Sequence, residues 1–166
     1  MIPDIKQEIL LVAEPGRETE IITRLARVGY DFTIGFLAGG FDAWKQSGKE
    51  IDQIKSISAD ELATIQKKDT GIAILDVRKA SEYKSEHVKG TINAPLDFIN
   101  DSMAAIEKDK TYYVHCAGGY RSMIFISILK ARGFDHLIDV KGGFKEIKES
   151  GQFKLTEYSI PTSLLL

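Results

Sequence analysis

The single cysteine of the chain lies where a predicted strand passes into a predicted helix. The stretch YYVHCAGGYRSMIFISILKARG, residues 112–133, runs from a β-prone apolar segment through Cys116 and two glycines to Arg121, and then into a long apolar helical pattern. A cysteine without further context is most often a small buried apolar residue. The Gly-Gly-x-Arg that follows, together with the strand-to-helix position, favours a reactive thiolate instead.

The loop that follows Cys116 predicts a cradle for a negatively charged atom. A helix that begins near Arg121 or Ser122 presents unpaired backbone N–H groups and the positive end of its dipole. Gly118 and Gly119 allow the loop to turn its amides towards the sulfur. We therefore expect a thiol with a lowered pKa, with Arg121 adding positive charge at the rim. Such a site stabilises a nucleophile without a separate general base.

The sequence around this loop alternates between predicted strands and predicted helices. After a capping box that begins at Ser58, we predict a helix to about residue 66, a strand over 71–77, a short helix over 79–87, a strand over 88–95, a helix over 100–107, and then the cysteine strand and its helix. This alternation indicates an α/β fold with a mostly parallel sheet. Ligands bind beyond the carboxyl ends of such strands, where Asp76 and Cys116 both lie.

Part of the chain is repeated about a hundred residues further on. The segment LARVGYDFTIGFLAGGFDAWKQSG (25–48) aligns with LKARGFDHLIDVKGGFKEIKESG (129–151), and in both a Gly-Gly-Phe is predicted to open a helix. Upstream, the first copy has a strand over 9–13 and then a helix to about Val28. Glu14 stands where the cysteine would align, so this copy has no nucleophile.

The composition and the net charge of the chain limit which classes of function are expected. The chain has 166 residues, 43% hydrophobic and 28% charged, as in soluble globular proteins, and its net charge of −2 gives no sign of nucleic acid or membrane binding. One cysteine excludes an internal disulfide, and three histidines without ligand spacing predict no metal site and no cofactor. His115 should point away from Cys116 by strand alternation. We see no signal peptide or spanning segment and expect a cytoplasmic protein.

The segment HCAGGYRS resembles the active-site loop of the rhodanese family, whose pattern is Cys-x-x-Gly-x-Arg. Three further segments resemble family motifs in the same order: LDVRKASEY (75–83), EHVKGTINAP (86–95) and VKGGFKEIKESG (140–151). Phe144 and Ile147 stand where the family usually has tryptophan, which affects packing but not the loop. The resemblance covers about 56–151 and implies a three-layer α/β/α fold with a mostly parallel central sheet.

The resemblance also implies a division of the chain. We expect a partial, inactive rhodanese-like α/β segment over 1–54 (its degenerate half copy at about 9–48), a complete rhodanese domain over 55–154 and a C-terminal tail over 155–166. This arrangement is similar to the C-terminal region of fusions between a metallo-β-lactamase-fold domain and rhodanese domains. Such a domain is therefore a candidate partner. Three explanations of the half copy stay open: the chain is a piece of a longer protein, the half copy packs on the complete domain, or two chains complete each other. The first two together are favoured.

By resemblance, the implied activity is sulfur transfer. A small anionic donor such as thiosulfate, or a persulfide, would give its outer sulfur to Cys116, and a thiol or cyanide would accept it. Cys116 and Arg121 are the implied catalytic residues. Substrate contacts are implied for the remaining loop residues, Ala117, Gly118, Gly119, Tyr120 and Ser122. The alternative is a non-catalytic binding or regulatory module of a larger sulfur-metabolism protein.

Four supporting residues are predicted near the loop: Asp76, Arg78, Glu82 and His87. Asp76 would accept hydrogen bonds from the loop, pair with an arginine such as Arg121, or cap the next helix. Arg78 and Glu82 are four apart, so a helical ion pair is the simplest interpretation. His87 is expected to be a hydrogen-bonded structural residue rather than an acid or base.

Overall fold

The computed structural model describes residue 2 and residues 4–160 of the chain. The chain divides into two compact units, Met1–Asp52 and Gln53–Leu166. Each unit contains its own β-sheet. Across the described residues, none of the helices combines the length and the apolar character needed to cross a membrane.

The first unit is a βαβα arrangement on a two-stranded parallel sheet. Its elements are β1 (Ile9–Leu11), α1 (Glu18–Ala26), β2 (Thr33–Phe36) and α2 (Gly40–Gln46). The first strand and the first helix each end two residues before the predicted position. Two strands cannot bury both faces of a sheet. Leu10, Ile34 and Phe36 therefore remain more than half exposed within this part of the chain.

The second unit is built on five parallel strands. Its elements are β3 (Lys55–Ile57), α3 (Ala59–Lys68), β4 (Ala73–Asp76), α4 (Ala80–Ser85), β5 (Ile92–Asn93), a 3-10 turn (Leu96–Phe98), α5 (Ile99–Ala104), β6 (Tyr112–His115), α6 (Tyr120–Lys130), β7 (Leu137–Val140) and α7 (Gly143–Glu149). The strand order is β3-β7-β6-β4-β5, and each neighbouring pair is parallel. The predicted α/β fold with a mostly parallel sheet is confirmed.

Helices cover both faces of this sheet and make three layers. On one face, Leu62 of α3 and Ile147 of α7 belong to the core, while the other face is covered by α6 through residues such as Phe125. Strands buried on both faces are continuously apolar, as β4 is up to its last residue. Side chains alternate between the two faces at the end of β6. Cys116 therefore lies in the core on the face covered by α6, whereas His115 points to the opposite face and stacks towards Phe144, as predicted.

Local sequence determines where the helices begin. The Ser58 hydroxyl accepts a hydrogen bond from the Glu61 amide at 3.2 Å, and the Glu61 carboxylate accepts one from the Ser58 amide at 2.7 Å. This is the predicted capping box, and it opens α3. Gly119 has a φ of 103°, which residues with a Cβ resist, and α6 therefore begins directly after it at Tyr120.

Two predicted elements are shorter in the structure. The strand predicted over 88–95 is reduced to β5, because Val88 pairs instead with Leu155 in an antiparallel bridge and Gly90 turns the chain with a φ of 86°. The helix predicted over 100–107 is α5, which ends at Ala104. These differences do not alter the order of the strands.

The segment after α7 lies beside the end of α4 and the residues that link α4 to β5. Beyond Leu155, the Thr156 amide donates to the His87 carbonyl at 2.9 Å, and the Ser159 amide donates to the Ser85 carbonyl at 2.8 Å. The tail predicted over 155–166 therefore begins as an ordered segment. Its last part, 161–166, lies outside the described residues.

Candidate active site

Cys116 lies at the carboxyl edge of the central strands. β4 and β6 run side by side and end in register, with Asp76 opposite His115. The chain then turns through Cys116 into the loop that leads to α6. The Cys116 residue is only 1% exposed, so its sulfur lies at the base of the loop rather than on the surface.

The loop turns its N–H groups towards this sulfur. The Gly119 amide donates to the Cys116 Sγ at 3.1 Å, and the Ser122 hydroxyl lies 3.7 Å from the same atom. Burial acts to raise the pKa of the Cys116 thiol. This effect is outweighed by hydrogen bonds from the backbone amides of the loop, first that of Ser122 and then those of Gly118 and Gly119, so the pKa lies below its ordinary value. The site therefore favours the thiolate.

The first turn of α7 is hydrogen-bonded to the cysteine loop. The Phe144 amide donates to the Cys116 carbonyl at 2.6 Å, and the Lys145 amide donates to the Ala117 carbonyl at 3.1 Å. A Cβ built on Gly143 would come within 2.3 Å of the Cys116 carbonyl oxygen. Glycine is therefore required for the helix to approach the loop so closely. The sequence predicts that this Gly-Gly-Phe opens a helix, but its contact with the cysteine loop is visible only in the structure.

Arg121 is paired with Glu82 beside the loop. Its two terminal nitrogens donate to the two carboxylate oxygens of Glu82 at 2.6 and 2.9 Å. The hydrogen bond from Arg121 outweighs burial and holds the pKa of Glu82 below its usual range. The predicted pair of Arg78 with Glu82 is therefore wrong. Of the alternatives given for Asp76, pairing with an arginine is found, but the arginine is Arg78 and not Arg121. The helical spacing of Arg78 and Glu82 is not used, because Arg78 precedes α4 and turns into the interior.

Asp76 and Arg78 form a buried ion pair behind the loop. Asp76 Oδ1 accepts hydrogen bonds from the Arg78 amide at 3.0 Å and from its Nε at 2.9 Å, and Oδ2 accepts one from Nη2 at 2.6 Å. The Arg78 guanidinium also lies 3.9 Å from the ring centre of Phe144, and it donates to the Glu86 carbonyl. This cluster packs against the first turn of α7, beside the loop.

Removing one partner of this ion pair is expected to cost much of the stability of the domain. Asp76→Ala leaves the Arg78 guanidinium buried without its counter-ion, which should lower the free energy of unfolding by about 3–5 kcal/mol. Urea denaturation followed by circular dichroism measures the effect. The control is Lys148→Ala, which breaks the partly exposed pair of Lys148 with Glu86 and should cost less than about 1 kcal/mol. Equal losses for both variants would contradict the structural role of Asp76.

The remaining predicted residues lie around this core. His87 stacks on Tyr83 with ring centres 3.7 Å apart, and its Nδ1 lies 2.7 Å from the Tyr83 carbonyl oxygen, an arrangement that suits the predicted structural role. Tyr120 is 78% exposed, at the first position of α6. Burial lowers the pKa of His115, so this histidine is neutral inside the protein. Among the described residues there is no cluster of three or more possible metal-binding side chains.

One buried residue of the site was missed by the sequence analysis. Asp139, in the middle of β7, is 3% exposed, and its Oδ1 accepts a hydrogen bond from the Ser122 hydroxyl at 2.7 Å. The signal was available, because a lone aspartate in the apolar strand Leu137–Val140 requires a buried partner.

Comparisons with known proteins agree on one family. A family model described as a rhodanese-like domain matches residues 58–150. The crystal structure of a rhodanese-like domain protein from Staphylococcus aureus is 32% identical, with a TM-score of 0.57 over 64% of this chain and 100% of that chain. Thiosulfate sulfurtransferase PspE of Escherichia coli is 37% identical over 75 residues, which cover 44% of this chain and 71% of that protein.

Longer relatives match over a part of their length. The tRNA sulfurtransferase of Thermoplasma acidophilum is 30% identical over 121 residues, which cover 62% of this chain and 24% of that enzyme. Two relatives from Bacillus subtilis are covered over 55% and 58% of their lengths.

Proposed function

Because the chain belongs to the rhodanese-like domain family, we propose that it is a sulfurtransferase that carries sulfane sulfur as a persulfide on Cys116. The observation that carries the proposal is the convergence of loop N–H groups on the cysteine sulfur, with Gly119 donating at 3.1 Å. An arrangement of this kind stabilises a thiolate before reaction, and the terminal sulfur of a persulfide is also an anion.

The reaction proceeds in two displacements at sulfur. The Cys116 thiolate attacks the outer sulfur of thiosulfate, a new S–S bond forms, and the old S–S bond breaks with its electron pair leaving on sulfite. With a persulfide donor, the leaving group is the donor thiolate. In the second step cyanide or an acceptor thiolate attacks the outer sulfur of the enzyme persulfide. That sulfur leaves with the acceptor, and the Cys116 thiolate is regenerated.

The length of the loop supports a sulfur atom as the carried group. Four residues separate Cys116 from Arg121. The corresponding loop of phosphatases on a related fold has the pattern Cys-x5-Arg, and its additional residue makes room for a phosphate. The shorter loop suits a single sulfur atom attached to the cysteine rather than a phosphate. Phosphatase or arsenate reductase activity is therefore disfavoured for this site.

Cyanolysis tests the proposed reaction. The protein is mixed with thiosulfate, or with glutathione persulfide, and cyanide, and thiocyanate is measured as its iron complex. We expect catalytic turnover with at least one of the donors. Absence of turnover with both donors, and with a thiol as well as cyanide as the acceptor, would favour the alternative of a binding or regulatory module.

The Glu82–Arg121 pair is expected to set the preference for the donor's charge. Glu82→Gln removes the carboxylate that neutralises Arg121, so the charge beside the cysteine loop becomes more positive. The KM for thiosulfate should therefore fall by roughly three- to tenfold. Arg121→Ala leaves Glu82 unpaired and should raise the KM for thiosulfate more than that for a neutral organic trisulfide donor. Steady-state kinetics with the two donors measures both effects.

A matched charge change distinguishes a local effect from a change in total charge. Glu107 pairs weakly with Lys110 at 4.0 Å and lies before β6, at the amino end of that strand. Glu107→Gln alters the net charge by the same amount as Glu82→Gln and should leave the KM for thiosulfate unchanged. If both glutamate variants shift this KM equally, the Glu82–Arg121 pair does not select the donor.

We also propose that residues 9–48 are a partial, inactive rhodanese-like copy. Two features support this: the order of strands and helices repeats that from β6 to α7, and a Cβ on Gly40 would lie 2.3 Å from the Ala13 carbonyl, as one on Gly143 would from Cys116. By this geometry Ala13, rather than the aligned Glu14, holds the cysteine position. A metallo-β-lactamase-fold partner domain and a cytoplasmic location remain predictions from the sequence.

A further inference from the structure

A buried carboxylate lies two hydrogen bonds away from the cysteine sulfur. Ser122, which is fully buried at the start of α6, places its hydroxyl oxygen 3.7 Å from the Cys116 Sγ and 2.7 Å from Asp139 Oδ1. The same oxygen lies 3.0 Å from the Gly119 carbonyl. Asp139 is held by β7, which pairs with β6 and therefore has a fixed position relative to the loop.

The Ser122 hydroxyl has one proton and three neighbouring acceptors. A serine hydroxyl donates a single hydrogen bond and can accept two. Of the three acceptors, the carboxylate of Asp139 is the nearest, at 2.7 Å against 3.7 Å for the Cys116 Sγ, and its charge makes it a stronger acceptor than the Gly119 carbonyl at 3.0 Å. The proton should therefore point to Asp139, and the lone pairs of Ser122 then face the sulfur.

We propose that Asp139 is a positioning residue that draws the Ser122 proton away from Cys116, so that the serine oxygen accepts the thiol proton rather than stabilising the thiolate. The loop amides favour the thiolate, and Asp139 opposes part of that stabilisation. A less stabilised thiolate is a better nucleophile. Asp139 thus balances the amount of thiolate against its reactivity. The inference rests on the proposed function only in taking Cys116 as the nucleophile.

Several other charged or titratable groups face this cluster, and none of them replaces Asp139. They are Arg121 with its partner Glu82, the Asp76–Arg78 pair, and His115. Arg121 and Arg78 are each held by their own carboxylate, and His115 is neutral. Among the hydrogen bonds of the described residues, only Asp139 joins a carboxylate to the Ser122 hydroxyl.

Asp139→Asn tests this arrangement by two measurements on the only sulfhydryl group of the chain. The neutral amide competes less well for the Ser122 proton, which becomes available to the thiolate. The midpoint of thiolate formation, followed by ultraviolet absorbance against pH, should therefore fall by about one pH unit. The rate of alkylation by iodoacetamide above that midpoint should fall by about threefold, because the thiolate is less nucleophilic.

A purely structural role predicts a different result. Loosening of the loop would weaken the amide hydrogen bonds to sulfur and move the midpoint upwards. Asp139→Ser is a second uncharged variant with the same expected downward shift, should the asparagine variant fail to fold. Asp135→Asn is the control, because Asp135 is exposed just before β7 and its loss should leave the midpoint unchanged.

The role of Ser122 as the connection is tested in a double-variant cycle. In a Ser122→Ala background the hydroxyl proton is absent, so most of the shift caused by Asp139→Asn should disappear. The inference is overturned if the midpoint stays or rises in Asp139→Asn, or if the shift is equal with and without the serine hydroxyl. None of these readouts requires sulfur transfer, so a chain that showed the predicted shift without carrying sulfur would refute the proposed function alone.

Discussion

Cys116→Ser is expected to abolish sulfur transfer, with kcat/KM lowered at least about a thousandfold, while the domain stays folded. A serine oxygen cannot form the persulfide that carries sulfur between the two displacements. The fold should survive because serine is close in size to cysteine, and its hydroxyl can use the loop N–H groups that now face the sulfur, Gly119 among them. Cyanolysis kinetics and circular dichroism measure the two halves of this prediction.

The single cysteine provides an independent control for this variant. Wild-type protein alkylated with iodoacetamide is modified at Cys116 alone among cysteines, and it should be as inactive as the serine variant. Agreement between the two would show that the loss does not come from the substitution itself. Retention of full activity by Cys116→Ser, or by the alkylated protein, would show that the nucleophile is not Cys116.

Gly143→Ala is expected to be strongly damaging, although Gly143 lies outside the cysteine loop. The new Cβ would lie 2.3 Å from the Cys116 carbonyl oxygen, and the residue has a φ of 61°, which alanine resists. The clash and the backbone strain together should lower the free energy of unfolding by about 2–5 kcal/mol. Since the Phe144 amide donates to that same carbonyl, the loop must also shift, and turnover by the folded fraction should fall.

Gly151→Ala separates the clash from the backbone strain. Gly151 has a nearly identical φ of 64°, but a Cβ there would meet nothing within 4 Å. This variant should therefore lose only about 1–2 kcal/mol and keep its activity. Urea denaturation and cyanolysis compare the two variants. Equal losses of stability and of activity in Gly143→Ala and Gly151→Ala would contradict the interpretation that the close approach of α7 to the loop holds the nucleophile in place.

The fold and the loop were predictable because their signals are local. The capping box at Ser58, the alternation of strands with helices and the glycines after Cys116 each restrict a few neighbouring residues. Strand alternation likewise placed His115 and Cys116 on opposite faces of the sheet. The element bounds differed where a distant segment intervened, as when Leu155 paired with Val88 and shortened β5.

The partners of the charged side chains could not be predicted in the same way. Glu82 is four residues from Arg78 in sequence but pairs with Arg121, because the loop brings α6 beside α4. Arg78 instead turns inward to Asp76, two residues away, since the chain leaves β4 without a helical turn between them. Ion pairs depend on distances between elements, which helical spacing along one element does not contain.

Intact-mass spectrometry after incubation with thiosulfate shows whether Cys116 carries a sulfur atom. Wild-type protein should gain the mass of one sulfur atom and lose it on addition of cyanide, and Cys116→Ser should gain nothing. A wild-type protein whose mass stays unchanged with thiosulfate and with persulfide donors alike, or a gain that persists in Cys116→Ser, would contradict this role of Cys116.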